Sequence, residues 1–185
     1  DAIADLRLVL RKEPDNDRAL LLLAQAYVRQ NELALAKDTY RRLLEVAPDS
    51  PDGLQQLAVL YAGNKEYAEA ESLLRKRLGK QPDDLIASGR LVEILMAQGQ
   101  PAKAEEEARR MQALTNQTGV GDFSLGRVLA QQKDYEGAAD AFKKSVTARA
   151  GDPLPLEGLV RSLLAAGKKD EAISALNLQL SNDQN

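Results

Sequence analysis

The sequence predicts an all-α chain, an α-solenoid of antiparallel helix pairs, and three observations predict it. Alanine recurs at residues 2, 36, 70, 104, 138 and 172, and leucine at 23, 57, 91, 125 and 159, both in steps of 34 without an insertion. A fixed period of that length marks a stack of repeats, each burying its apolar face against its neighbours and leaving an extended surface suited to holding other molecules. The 185 residues are 44% hydrophobic yet include only two Phe, five Tyr and no Trp, so Ala and Leu do the packing, a diet that suits helices. Breakers and capping residues return between the apolar stretches, in agreement with that period.

Each element follows in order. Residues 1–16 read as a partial repeat, helix B alone, with an apolar stripe of Ala2, Leu6, Val9 and Leu10. Pro14-Asp15-Asn16-Asp17 then supplies a breaker and caps for the repeat at 17–50, whose helix A places Leu20, Leu23, Ala24 and Tyr27 at helical spacing. Arg29-Gln30-Asn31-Glu32 makes the turn, and helix B carries Leu33, Ala36, Tyr40, Leu43 and Leu44 until Pro48-Asp49-Ser50 stops it. The repeat at 51–84 turns at Gly63-Asn64 and ends at Pro82-Asp83-Asp84. The repeat at 85–118 turns at Gly99-Gln100-Pro101, and that at 119–152 turns at Lys133-Asp134 and closes at Gly151-Asp152-Pro153. Residues 153–185 turn at Gly167-Lys168 and form the last repeat of this single array, without a capping helix.

Residue sizes explain the packing. Small residues at Ala24, Ala58 and Gly126, with the periodic alanines early in helix B, let the two backbones approach closely. Tyr27, Tyr61, Leu95, Leu129 and Leu163 close the successive helices A, while Tyr40, Leu74, Phe142 and Leu176 fill the matching socket in helix B. A bulky charge at Ala70 or Ala138 should force a helix pair apart at roughly 1–3 kcal/mol or more.

These residues resemble the tetratricopeptide repeat family. Its signature of a large residue, Leu-Gly, Tyr, Ala, Phe and a closing Pro is matched in residues 17–50 by Leu20, Leu23-Ala24, Tyr27, Ala36, Tyr40 and Pro48. Residues 51–84 match through Leu54, Leu57-Ala58, Tyr61, Ala70, Leu74 and Pro82. Residues 85–118 depart most, with Ser88, Ala108 and Asn116 where the large residue, the aromatic and the proline are usual. Leu125-Gly126, Ala138 and Phe142 restore the pattern, and Leu159, Ala172 and Leu176 continue it. The resemblance implies a right-handed superhelix whose helices A line a concave groove that holds a peptide or partner protein. Pentatricopeptide repeats share the helix pair, but their RNA-reading arrays are generally basic and this chain is not.

The candidate partner-binding residues are therefore those of helix A that face away from helix B. The repeats at 17–84 present Gln25, Gln55 and Gln56 beside Leu21, Leu22, Arg29 and Val59, a neutral, amide-rich surface. Beyond them come Arg90, Arg127 and Arg161, with Ile86, Val120, Phe123 and Leu154 close by. Arg127 and Arg161 are one period apart, so their guanidinium groups are expected to point the same way. Arginine recognises carboxylates through a planar two-pronged contact, and the apolar neighbours grip the rest of a chain, so the expected ligand is a peptide or partner loop with an acidic group. The competing reading leaves these arginines solvated or paired with Glu93 and Glu157 on the same helices. The two-carboxylate clamp of co-chaperone members of the family is absent: the best window offers Leu21, Gln25, Gln56, Ile86 and Arg90, and only Arg90 has the right character.

Net charge is −3 with acids and bases mixed along the chain, which offers no attraction to a phosphate backbone or an anionic membrane, so no nucleic-acid partner is expected. The longest apolar stretch, Ala19 to Val28, is broken by Gln25 and is far too short to insert across a bilayer. The absence of His and Cys removes the commonest general base, the thiol nucleophile and most transition-metal ligand sets. A Ser–Lys or paired-carboxylate site is the chemistry left conceivable, and the expectation is no enzyme, no catalytic residue, no metal and no cofactor. Glu105-Glu106-Glu107 followed by Arg109 and Arg110 reads as a solvated face with local ion pairs. Asp15-Asn16-Asp17 lacks the glycine and distal glutamate of a calcium loop and acts as a helix cap.

Three function classes fit. The first is a protein-binding scaffold; the Ala-, Leu- and Gln-rich repeats resemble bacterial envelope proteins that organise polysaccharide export, secretion or surface-protein sorting, which favours the periplasm or cell envelope over the cytoplasm. A cysteine-free chain fits either compartment. The second is a self-stacking assembly module, and the third a regulatory domain of a larger enzyme. Self-stacking draws on the ends: residues 1–13 lack a helix A of their own, and Leu176, Leu178 and Leu180 run into Ser181-Asn182-Asp183. Leaving such leucines exposed forgoes roughly 1.5–3 kcal/mol each. The expectation is either excision from a longer protein or ends that associate with another copy.

Overall fold

The computed structural model describes residues 2–114 and 118–182, with side-chain surroundings through Leu178, so Asn116 and the Leu180 side chain lie outside the described residues. Among the described residues there are eleven helices and no strand: α1 (Ala2–Lys12), α2 (Asp17–Arg29), α3 (Leu33–Val46), α4 (Pro51–Gly63), α5 (Tyr67–Lys80), α6 (Leu85–Ala97), α7 (Pro101–Leu114), α8 (Val120–Gln131), α9 (Tyr135–Ala148), α10 (Pro153–Ala165) and α11 (Lys169–Asn182). The even-numbered helices are helices A and the odd-numbered ones helices B. The chain divides into two compact units, Asp1–Ala87 and Ser88–Asn185.

The caps come from the turn residues. Asn16 Oδ1 accepts from the Ala19 N–H at 2.9 Å, Ser50 Oγ from Gly53 at 3.2 Å, Asp84 Oδ1 from Ala87 at 2.9 Å and Asp152 Oδ1 from Leu154 at 3.0 Å, each satisfying a donor that a helix start leaves unpaired. Every turn from helix A to helix B closes in one way. Asn31, Lys65, Gly99, Lys133 and Gly167 take positive φ. The following N–H then bonds back five residues: Glu32 to Tyr27, Glu66 to Tyr61, Gln100 to Leu95, Asp134 to Leu129 and Lys168 to Leu163, at 2.8–3.0 Å.

In the first unit, Ala36 and Ala70 are fully buried where α3 meets α2 and α5 meets α4. Tyr40 is almost wholly buried, and that burial, with a contribution from the Asp52 carboxylate, pushes its phenol up to about 12. Arg7 donates from Nε and Nη2 to the Tyr27 hydroxyl at 3.0 and 2.8 Å, and Arg41 donates from Nε to the Tyr61 hydroxyl at 2.9 Å. These two contacts are the same contact one period apart, and each guanidinium also lies over its ring, 5.7 and 5.5 Å from the centroid. Arg77 and Asp84 form a buried ion pair. The α1 stripe differs from expectation: Ile3 and Leu10 are the buried residues, whereas Ala2 and Val9 are exposed. Among the described residues helix α1 packs chiefly on α2 and turns the face of Ile3 and Leu10 to it, which leaves Ala2 and Val9 on the outer side.

The second unit packs by different means. Phe142 of α9 meets Phe123 of α8 edge-on at 5.8 Å. It also presses on Gly126 of α8 and Gly158 of α10, where an added Cβ would lie 2.9 and 2.6 Å from ring atoms. Gly121 lets α8 touch α7, since a Cβ there would lie 2.3 Å from the Gln112 backbone nitrogen. Ala104 and Ala138 are fully buried and Ala172 is 2% exposed. Leu176 departs from the socket expected of it: it is 43% exposed, because α11 packs against α10 while no further described helix follows it. Polar ties join successive repeats, Gln132 to Glu105 at 3.1 Å and Lys168 to Glu136 at 2.8 Å.

Candidate functional site

The arginines of the second unit are held by acids. Arg90 and Glu93 lie one turn apart on α6, and Arg127 of α8 stands one period after Glu93. Glu93 Oε2 accepts from Arg90 Nη1 at 3.1 Å, and Glu93 Oε1 accepts from Arg127 Nη1 at 3.0 Å. One carboxylate is therefore seated between two guanidinium groups from successive helices A. The three side chains are 51%, 39% and 44% exposed, so each contact contributes about 0–1 kcal/mol and exchanges readily.

Arg161 behaves differently from Arg127 although it is one period on. It pairs with Glu157 of its own helix at 2.6 Å, and its side chain is 78% exposed. The reason lies one period back: the residue preceding Arg127 in the row is Glu93, whereas the residue preceding Arg161 is Arg127 itself, which offers no acceptor. The expected common direction of the two guanidinium groups is thus replaced by two separate pairings.

Phe123 is half-buried, and two cations approach its ring: the Arg127 guanidinium at 6.0 Å and that of Arg149 at 5.3 Å from the centroid. Arg149 caps the end of α9 and is tied to Asp152 at 2.5 Å. Sequence reasoning missed Arg149 because it is 26 residues from Phe123. The available signal was the antiparallel pairing itself, which brings the end of each helix B beside the start of its helix A. Val120 is half-buried and Leu154 exposed, both in the first turns of their helices. In the first unit, Gln25, Gln55 and Gln56 are half-buried on α2 and α4, and Ile86 is exposed at the start of α6.

Among the described residues no group of three acids, His or Cys is arranged to hold a metal, and no helix is long and apolar enough to cross a membrane. The family model for the tetratricopeptide repeat matches residues 1–60, 61–118 and 129–185. The chain belongs to the tetratricopeptide repeat family. No curated protein matches it in sequence.

Solved tetratricopeptide and related structures share its fold, the all-α solenoid of antiparallel helix pairs. A tetratricopeptide repeat protein from Parabacteroides merdae superposes with a TM-score of 0.80 at 18% identity, over 97% of this chain and 71% of that one. MamA from Desulfovibrio magneticus gives 0.73 at 16% identity, over 91% and 95%. YrrB, described as a tetratricopeptide repeat protein with an unusual peptide-binding site, gives 0.68 at 17% identity, over 95% and 91%. Tetratricopeptide repeats are scaffolds for protein–protein interaction and are generally non-catalytic.

Two departures from the repeat signature are explained by their partners. Ser88 and Asp122 stand where Leu20 and Leu54 stand in the earlier repeats, and both are buried. Arg110 Nη2 donates to Ser88 Oγ at 2.7 Å and Gln112 Nε2 donates to Asp122 Oδ1 at 2.7 Å, so α7 supplies the hydrogen bond each polar group needs.

Proposed function

We propose that this tetratricopeptide array is a scaffold whose helix-A face in residues 88–185 holds an acidic segment of a partner protein, with Arg90, Arg127 and Arg161 as its cations and Phe123, Val120 and Leu154 as its apolar contacts. The observation that carries the proposal is the Glu93 carboxylate between Arg90 and Arg127. This convergence of two guanidinium groups from successive helices A on one solvent-accessible carboxylate supports the reading that a ligand's carboxylate takes its place. The cations over Phe123 keep positive charge beside an apolar ring, a combination suited to a peptide carrying both an acid and a hydrophobic side chain. The amide-rich residues Gln25, Gln55 and Gln56 and the exposed Ile86 are proposed as a separate contact surface of the first unit. A bacterial envelope assembly for polysaccharide export, secretion or surface-protein sorting is the setting we propose, on the resemblance of the repeats.

The test is affinity capture from soluble and envelope extracts with the wild-type chain and with the R90E/R127E/R161E variant, after circular dichroism shows equal helicity. Loss of a specific protein from the variant's catch supports the proposal; an unchanged catch overturns it. A second reading, self-association, is favoured by the exposed Ile173, Leu176 and Leu178 of α11. It predicts a sedimentation coefficient that rises with concentration and ceases to do so in Leu176→Glu.

A further inference from the structure

The 34-residue period points to a second surface, on the helices B and sharing no residue with the arginine-lined face. In the first unit, Arg7 and Arg41 each reach the tyrosine hydroxyl that ends the next helix A, and so close the cleft between successive helices B. At the same two positions the middle repeats keep the arginine but lose the tyrosine, as Arg75 with Leu95 and Arg109 with Leu129, and the last pair of repeats loses both, with Lys143 and Leu163. Leucine brings neither the ring nor the hydroxyl, and lysine has no planar group to lay over a ring. The cleft stays open there. It lies between α9 and α11, has a volume of about 690 Å³, and is floored by Leu156, Leu159 and Leu163 of α10. That volume is within the range of about 300–1,000 Å³ typical of ligand sites.

The cleft is polarised along its length. Asp140 sits in the first half of α9, and Asp170 and Glu171 lie in the first turn of α11, so three carboxylates gather at the end where both helices begin, beside the ammonium groups of Lys143 and Lys168. Lys168 bonds to Glu136 at 2.8 Å and also faces Glu171 and Asp140, so with Glu136 counted four carboxylates meet two ammonium groups and this end keeps an excess of negative charge. At the other end the walls are apolar, with Val146 on one side and Ala175 and Leu178 on the other. An occupant must therefore bring positive charge to one end and hydrocarbon to the other. A fatty acid fails that requirement, because its carboxylate would face three others or enter the apolar end unpaired.

We propose that this cleft docks a basic amphipathic helix of a partner protein, with leucine-like side chains at helical spacing on the Leu156, Leu159 and Leu163 floor and a Lys or Arg in its first turn against Asp140, Asp170 and Glu171. The contact follows the helix-in-groove mode, in which residues at i, i+3 or i+4 and i+7 anchor an apolar face.

The experiment is a fluorescence-anisotropy titration of the 185-residue chain with a labelled helix-forming peptide. The peptide carries leucines at i, i+3 and i+7 and lysines in its first turn. Wild type is compared with K143R/L163Y, which reinstates the arginine and tyrosine of the earlier repeats inside the cleft, and with D140N/D170N/E171Q. Binding that weakens roughly tenfold in K143R/L163Y and several-fold in the neutralised variant is the expected result. Both variants are checked for unchanged helicity and melting temperature, and a third, Leu156→Asn, offers an independent route to the same loss should either misfold. Equal binding to wild type and K143R/L163Y overturns the proposal, as does tighter binding of a glutamate-headed peptide or of dodecanoate than of the lysine-headed peptide.

Discussion

The first unit ties successive repeats with a tyrosine hydroxyl clasped by an arginine, whereas in the second a phenylalanine ring presses on two glycines and leaves the cleft between α9 and α11 open. Both solutions obey the same 34-residue period. Tyr27 and Tyr61 draw Arg7 and Arg41 into the joints between repeats, and there the arginine is a structural part. In the second unit Phe142 fills the space left by Gly126 and Gly158, with the Lys168–Glu136 ion pair beside it in place of an arginine–tyrosine contact. Arginine also appears there on helices A, solvent-exposed beside Glu93 and Glu157, while Arg110 of α7 keeps a packing role against Ser88. The lesson is that the same 34-residue period accommodates two ways of packing a joint, and that an arginine at one repeat position is a packing group in one unit and an exposed ion-pair partner in the other.

The strongest way to break this comparison is Asp84→Ala. Asp84 caps α6 and neutralises the buried Arg77, whose Nη1 has no partner among the described residues. Removing the carboxylate leaves a buried cation, and the expected loss is about 3–5 kcal/mol in urea denaturation. The same residue sets an acid response. Burial pushes its carboxyl up, but the Ala87 N–H and the Arg77 guanidinium outweigh burial and hold it below the usual carboxylate range. A depressed acid stabilises fully above its unfolded value of about 3.9 and loses that contribution as pH falls below it through the folded value. Wild type should therefore lose more stability between pH 5 and pH 3 than Asp84→Ala does, to be measured by denaturation at the two pH values.

In the second unit the corresponding break is Gly121→Ala. The added Cβ meets backbone of α7, which cannot turn aside, so the expected cost is about 1–3 kcal/mol. Tyr61→Phe tests the first unit's joint more gently: it removes one hydrogen bond and should cost about 0.5–1.5 kcal/mol, read from the melting temperature. Gly89→Ala sharpens the contrast among glycines. Its Cβ would meet only the end of Met111 at 3.9 Å, so the substitution should raise stability by about 0.4–1 kcal/mol, whereas Gly121→Ala lowers it.

Most of the fold was legible because the period assigns one environment to each position. Ala36 to Ala172 are buried because each lies between two helices, and Tyr27 and Tyr61 are buried at the ends of their helices A. Ala2 and Leu176 were misread for the same reason: periodicity specifies a position within a repeat but not whether a neighbouring repeat covers it. The roles of Gly121 and Gly158 were hidden because a glycine within a helix looks the same whether it is needed for contact or merely tolerated. Of the site, Arg90, Arg127, Arg161 and Phe123 could be placed on helices A from spacing alone. Which acid holds which arginine could not, since Glu93 bridges across a full period and Arg161 finds its partner within one turn.

The central claim is that Arg90 and Arg127 form a carboxylate seat in which Glu93 is an exchangeable occupant. The most direct test is calorimetric titration of wild type, Glu93→Gln and Arg127→Gln with a short acidic peptide containing one aromatic residue, at low salt. The account predicts that Glu93→Gln binds about threefold to fivefold more tightly, the energy of two weak exposed ion pairs that the ligand no longer has to displace, and that Arg127→Gln binds more weakly. Equal affinity of all three proteins would contradict it.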